Sequence, residues 1–292
     1  MKSLLLMMAL VVPVVTPAGQ RATASKKNAP APASQPPTAA EVDAVLKRVY
    51  GYDPSIQWKI FLVRRSVVPG MSEVLLQLKG EFHHLFLTSD GHFAIDGGMQ
   101  PFGPDPYAGM RQRLGAANGV VRGPDKAVAT MVEFSDLQCP HCKDAQPVLE
   151  KLAADFPDMR IIFQQYPLAR SHPWAMKAAE YADCAGRQSN DAGWKFIAAV
   201  YENQNSIALA IADDKLKELA TASGLDAEKL SACATAPDTE IRVKKSMELG
   251  DSVGVMGTPA IFVNGRPLET VVGVPYEQVK AIVQYEIEHA GK

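Results

Sequence analysis

Phe134-Ser-Asp-Leu-Gln-Cys-Pro-His-Cys142 decides how this chain is read. It follows the apolar run Ala127-Val-Ala-Thr-Met-Val132 and opens a stretch with helical spacing, so the local order is strand, short turn, then Cys-Pro-His-Cys at a helix start. The first turn of a helix carries unpaired N–H groups and the positive end of the dipole, and an anion is stabilised there. A thiolate at Cys139 is such an anion, and its pKa is expected to fall well below the ~8.5 of a free cysteine. Protonated His141 adds a second positive charge in the same turn, and Pro140 has the fixed φ that suits a helix start. Cys142 is placed to attack a mixed disulfide formed at Cys139. The pattern is that of a dithiol–disulfide exchange centre.

Two other uses of a Cys-x-x-Cys pair compete with this one. Zinc usually takes a second close pair or a nearby histidine pair. The remaining cysteines, Cys184 and Cys233, stand alone in their neighbourhoods, so no metal site is expected. A purely structural disulfide would not need the strand–helix setting.

The chain has 292 residues, 47% hydrophobic and 21% charged, with a formal net charge of −2. That length allows one large or two modest domains. Nothing in the composition suggests a nucleic-acid surface, and a near-neutral charge argues against strong steering of one class of partner. Met1-Lys2-Ser3 followed by Leu4 to Val15 has the form of a secretory signal, with cleavage expected after Ala18 or Ala24. An uncleaved anchor is the alternative, although the run falls short of the roughly 20 residues that cross a bilayer. Export implies an oxidising compartment.

Residues 1–24 are therefore read as a signal peptide and residues 25–40, rich in Pro and Ala, as an unstructured linker. Residues 41–115 read as a small α+β domain. Glu41 to Tyr50 has an amphipathic helical face, and Trp58–Val63, Val74–Leu78, Phe82–Leu87 and His92–Ile95 are strand-like segments between turn signals. His83 and His84 are adjacent, face opposite sides of a strand, and are taken as surface and rim residues. A weak helix at Tyr107 to Leu114 and the polar stretch Gly115 to Asp125 are taken as the connection between domains. From about Lys126 to the end, a strand, the cysteine-bearing helix and a strand at Arg160 to Gln165 precede a helical region at about 172–253. Ala260–Val263 follows as a short strand, Asn264-Gly265 signals a hairpin into Leu268–Val272, and Pro275–Ala290 closes the chain as a helix. Cys184 and Cys233 lie on two of the predicted helices. A structural disulfide between them is expected, against the alternative of two buried free thiols.

This order, with Glu133-Phe-Ser before Cys-Pro-His-Cys, His172-Pro-Trp-Ala175 and Gly257-Thr-Pro-Ala260, resembles the DsbA-like thiol-disulfide oxidoreductases. The resemblance implies an α/β architecture: a thioredoxin fold with an inserted helical domain. It also implies that the Thr258–Pro259 bond is cis, lies beside the cysteines, excludes metal and pairs through its backbone with an extended substrate. Glu133 matches an acidic position under the active site that assists proton transfer; a plain charge at a strand edge is the alternative. The small domain resembles more faintly the N-terminal dimerisation domain of the DsbC/DsbG isomerases.

By this resemblance the chain is expected to be an exported oxidoreductase without a cofactor. It would donate the Cys139–Cys142 disulfide to unfolded or partly folded exported proteins and be served by a redox partner in the membrane. Isomerase or reductase duty is the alternative within that class. A non-catalytic binding or chaperone module is the alternative outside it.

Overall fold

The computed structural model describes residues 35–50, 53, 55–98, 105–268 and 270–289. The expected signal segment and most of the expected linker lie outside the described residues, as do residues 51, 52, 54 and 99–104. The first element, α1 (Ala39–Tyr50), starts two residues earlier than the apolar pattern indicates. Thr38 is the reason. Its hydroxyl accepts from the Glu41 N–H at 3.2 Å, and the Glu41 carboxylate accepts from the Thr38 N–H at 2.7 Å. This reciprocal box satisfies two of the N–H groups that a helix start leaves open.

Four strands follow: β1 (Trp58–Arg65), β2 (Met71–Leu78), β3 (Glu81–Thr88) and β4 (Ala94–Asp96), antiparallel and neighbouring in chain order. Val42 and Leu46 of α1 pack on Val74 and Leu76, so one face of this sheet is covered by the helix. A bulge between Ile60 and Leu62 of β1 shifts the pairing by one residue and sets Arg64 directly opposite Glu73.

The second sheet has five strands in the order β5 (Val120–Arg122), β7 (Met159–Gln165), β6 (Ala129–Ser135), β8 (Ala260–Val263), β9 (Arg266–Leu268). β6 is central, parallel to β7 and antiparallel to β8. A central strand is covered on both faces, which is why six of the seven residues from Ala129 to Ser135 are buried, Glu133 among them. The crossover from β6 to β7 is α3 (Pro140–Asp155), and the last of the described elements is α9 (Tyr276–His289). Leu149 and Leu152 of α3 share a core with Val279 and Val283 of α9 and with Met131 and Ile161 of the sheet. Between β7 and β8 stand α4 (Ala175–Gln188), α5 (Asn190–Asn203), α6 (Ala212–Ala222), α7 (Ala227–Ala234) and α8 (Pro237–Ser252). The turn between β8 and β9 has Asn264 at φ 49° and Gly265 at φ 86°, the conformation that an Asn-Gly hairpin favours.

The structure corrects the sequence reading at three places. The stretch Gly115 to Asp125, read as a connection, contributes β5, an edge strand paired antiparallel with β7. Flanking glycines concealed it. A Cβ on Gly119 would come within 1.9 Å of the Phe163 carbonyl oxygen, so the strand approaches its neighbour only because that side chain is missing. The weak helix read as part of the connection between domains, α2 (Ala108–Leu114), packs on the second sheet: Leu114 shares a core with Val132, Phe134, Ile162 and Phe262. The hairpin strand expected to run to Val272 stops at Leu268.

Candidate active site

Cys139 is the residue before the first turn of α3, with extended backbone, and Pro140 opens the helix. Both Cys139 and Cys142 are free and buried. The two sulfurs occupy opposite electrostatic settings. The Cys139 thiol is lowered to about 5: the Cys142 S–H donates to its sulfur, and the backbone N–H groups of Cys142 and His141 point at it, overcoming the cost of burial. Cys142 is driven in the other direction, first by burial and then by the negative charge forming on Cys139. The His141 side chain is exposed. The His141 backbone N–H is one of the groups that lower Cys139.

The Thr258–Pro259 bond is cis. Cys139 Sγ lies 3.5 Å from the Thr258 carbonyl oxygen, so the two segments, 119 residues apart in the chain, form one surface. The Thr258 hydroxyl oxygen is buried without a hydrogen-bond partner among the described residues.

Glu133 lies on β6, 1% exposed, with its carboxylate accepting from Gln146 Nε2 at 2.9 Å. Gln146 stands one turn along α3 from Cys142 and also donates to the Cys142 carbonyl at 3.1 Å. Burial raises Glu133 to about 7, against the opposing pull of hydrogen bonds from Ser135 and Gln146. Glu133 is thus beneath the active-site helix and not at a strand edge. A carboxyl that titrates near neutrality can hold or release a proton beside the buried sulfur.

Other residues that build the site carried no clear signal in the sequence. Asp136 is buried and accepts from the Gln138 N–H, the Leu168 N–H and His172 Nδ1, each at 2.7 Å. It thereby ties the loop before Cys139 to the His172-Pro-Trp segment. The Asp136 N–H itself reaches Cys142 Sγ at 3.5 Å. Gln204, just after α5, donates to the carbonyls of Leu137 at 2.9 Å and Cys139 at 3.1 Å. Tyr201 pairs its hydroxyl with that of Ser135 at 2.9 Å. Gln146 had a readable cue, its spacing of four from Cys142. Tyr201 and Gln204 lie more than sixty residues away in the chain and had none. Cys184 on α4 and Cys233 on α7 are joined by a disulfide, apart from the Cys139–Cys142 pair.

A five-stranded sheet of this topology, with Cys-x-x-Cys at the start of its first crossover helix and a cis-proline against the outer sulfur, defines the class of thioredoxin-fold oxidoreductases. Residues 116–284, more than half of the chain, match the family model described as Thioredoxin, and the chain belongs to that family. Among solved structures it is similar to oxidised BdbD from Bacillus subtilis, at 22% identity and TM-score 0.53, over 59% of this chain and 94% of that one. It is also similar to a thioredoxin-like oxidoreductase from Silicibacter pomeroyi, at 24% identity and TM-score 0.52, over 62% of this chain and 99% of that one. These likenesses show the thioredoxin fold.

Curated relatives carry a different name. A Na(+)/H(+) antiporter NhaA 1 of Salinispora arenicola is 34% identical over 146 residues, which is 50% of this chain and 22% of that protein. NhaA 3 of Salinispora tropica is 30% identical over 174 residues, 55% of this chain and 26% of that protein. The chain spans about a quarter of the length of these relatives, and the name belongs to each whole protein. Among the described residues no helix is long and apolar enough to cross a membrane.

Proposed function

We propose that this protein is an exported thiol-disulfide oxidoreductase that donates the Cys139–Cys142 disulfide to cysteine-bearing polypeptides. The observation that carries this reading is the asymmetry of the pair: an outer sulfur held as a thiolate and an inner sulfur held as a thiol. Stabilising the Cys139 thiolate favours the dithiol form and so makes the disulfide form a stronger oxidant.

In the donating direction a substrate thiolate attacks Cys139 Sγ. The Cys139–Cys142 bond breaks, a mixed disulfide forms, and the Cys142 sulfur leaves as an anion that takes up a proton. Glu133, titrating near 7, supplies that proton. A second substrate thiolate then attacks the substrate sulfur of the mixed disulfide and expels the Cys139 thiolate. The substrate loses two electrons and the enzyme pair gains them. In the reverse direction Cys139 is the nucleophile and Cys142 resolves the intermediate. The backbone beside Pro259 is the surface on which an extended substrate pairs. An oxidant must regenerate the disulfide, and a redox partner in the membrane would fill that role. Export is supported by the apolar Leu4–Val15 segment and by the Cys184–Cys233 bridge, which persists in oxidising compartments.

The test is a titration of thiolate absorbance in the reduced protein together with equilibration against glutathione. A transition near pH 5 that vanishes in Cys139→Ser is expected. The potential should lie well above the roughly −270 mV of reducing thioredoxins. Cys142→Ser should accumulate mixed disulfides with client proteins. Faster alkylation of Cys142 than of Cys139 by iodoacetamide at neutral pH would overturn the assignment.

A further inference from the structure

The cis-proline loop is held by a residue from the other sheet. Arg64, near the end of β1, is 11% exposed, and its Nε donates to the carboxylate of the directly opposed Glu73 at 3.1 Å. Glu73 is itself 3% exposed. A buried carboxylate needs such a partner, and the pairing fixes the direction of the guanidinium fork. The fork reaches out of its own sheet. Arg64 Nη1 donates to the Val255 carbonyl at 2.6 Å and lies 3.3 Å from Asp251 Oδ1. Val255 stands three residues before Thr258.

The receiving end is equally built. Asp251 is in the last turn of α8, where a carboxylate opposes the helix dipole. Two donors compensate it: Arg64, and the Tyr166 hydroxyl at 2.6 Å, which also reaches the Val255 carbonyl at 3.4 Å. Tyr166 directly follows β7, and its backbone N–H donates to the Ser135 carbonyl at 2.9 Å. Its ring lies against Gly250, where an added Cβ would come within 2.6 Å of it. Arg64, Asp251 and Tyr166 therefore converge on the chain entering Thr258-Pro259, and Tyr166 connects that point to the strand before Cys139.

We propose that Arg64 is a positioning residue for polypeptide substrates: by holding the Val255 carbonyl from the first sheet, it fixes where the Thr258-Pro259 backbone stands relative to Cys139. This rests on the reading of that backbone as the surface that pairs with substrate. A small dithiol needs only the sulfur, whereas an extended peptide needs both sulfur and loop in register. Arg64 should therefore matter for the second and not the first.

The experiment mixes the full-length oxidised protein with a reduced two-cysteine peptide over a range of concentrations and, separately, with dithiothreitol. Arg64→Met should raise the half-saturating peptide concentration about tenfold, the scale of one lost hydrogen bond to a charged group. The limiting rate and the dithiothreitol rate should change by less than about twofold on the same scale. Arg64→Lys retains the charge without the fork and should fall between; if Arg64→Met does not fold, the lysine variant decides alone. An unchanged peptide dependence, or peptide and dithiothreitol rates falling in parallel, overturns the proposal. Pro259→Ala separates the two readings. If it weakens peptide saturation while the Arg64 variants do not, only the positioning role fails. If Pro259→Ala has no effect on peptide saturation, the substrate surface itself is wrong.

Discussion

At the scale of single residues, this site works by giving like groups unlike surroundings. Glu133 and Asp136 are both buried carboxylates three residues apart; Asp136 collects three donors, while Glu133 is held by Gln146 and Ser135 against a larger cost of burial. Burial makes Glu133 a group that stores a proton near neutrality, and this has a consequence for stability. A carboxyl at about 7 in the fold and 4.5 in the unfolded chain binds its proton more tightly when folded. Its contribution is complete below pH 4.5 and is lost as the pH rises through 7. The loss amounts to about 3 kcal/mol. Glu133→Gln removes the titration while retaining an amide that can pair with Gln146. Urea unfolding of the oxidised wild type and variant should therefore show the wild type losing ground by about 3 kcal/mol between pH 4 and pH 8. A difference that stays constant across that range would show that Glu133 does not titrate there. Cys139 and Cys142 stand in a short local pattern that the sequence displays, and Glu133 was singled out through the family resemblance. Asp136 was hidden because its role depends on Leu168 and His172, which only the folded chain brings near.

At the scale of elements, legibility followed length. The helices between 172 and 253 were readable because several turns of spacing establish each one, whereas β5 is three residues between glycines and offers no periodicity. α2 was seen as a helix but read as a connection, because seven residues do not reveal which core Leu114 enters. The helical layer also has a covalent tie. Cys184 and Cys233 are 49 residues apart and link α4 to α7. Arg187 reinforces the same corner, donating to Thr239 Oγ1 at 2.6 Å and pairing with Asp183 at 3.2 Å. Closing a loop of that length is worth about 4 kcal/mol in the chain-entropy model, and measured values usually fall at about 2–4. The double variant Cys184→Ala/Cys233→Ala should lose about 2–4 kcal/mol in urea unfolding. It should also exchange with dithiothreitol within about twofold of wild type, because the bridge joins α4 to α7 while Cys139 and Cys142 stand at the start of α3. A collapse of exchange activity in a variant that remains folded would mean the bridge shapes the site.

At the scale of the whole molecule, the question is where the first sheet's territory ends. A cut placed by the sequence pattern, after residue 115, would remove α2 along with that sheet. The contacts argue against this cut. Leu114 is 6% exposed in the core with Val132, Phe134 and Ile162, and Met110 packs at the edge of the same core. Arg111 Nη1 donates to the Asn264 carbonyl at 3.2 Å, fastening the helix to the turn between β8 and β9. A chain beginning at Asp105 keeps these contacts and a chain beginning at Ala116 loses them. Stripping one leucine and part of a methionine from a core costs roughly 2–4 kcal/mol, so the shorter chain should unfold at correspondingly lower urea than the longer one. Both lack Arg64 and should bind peptide more weakly than the full protein. The chain from Asp105 should still exchange with dithiothreitol, because Cys139, Cys142, Glu133 and the cis-proline loop all lie within it. Equal stability of the two truncated chains would return α2 to the first sheet.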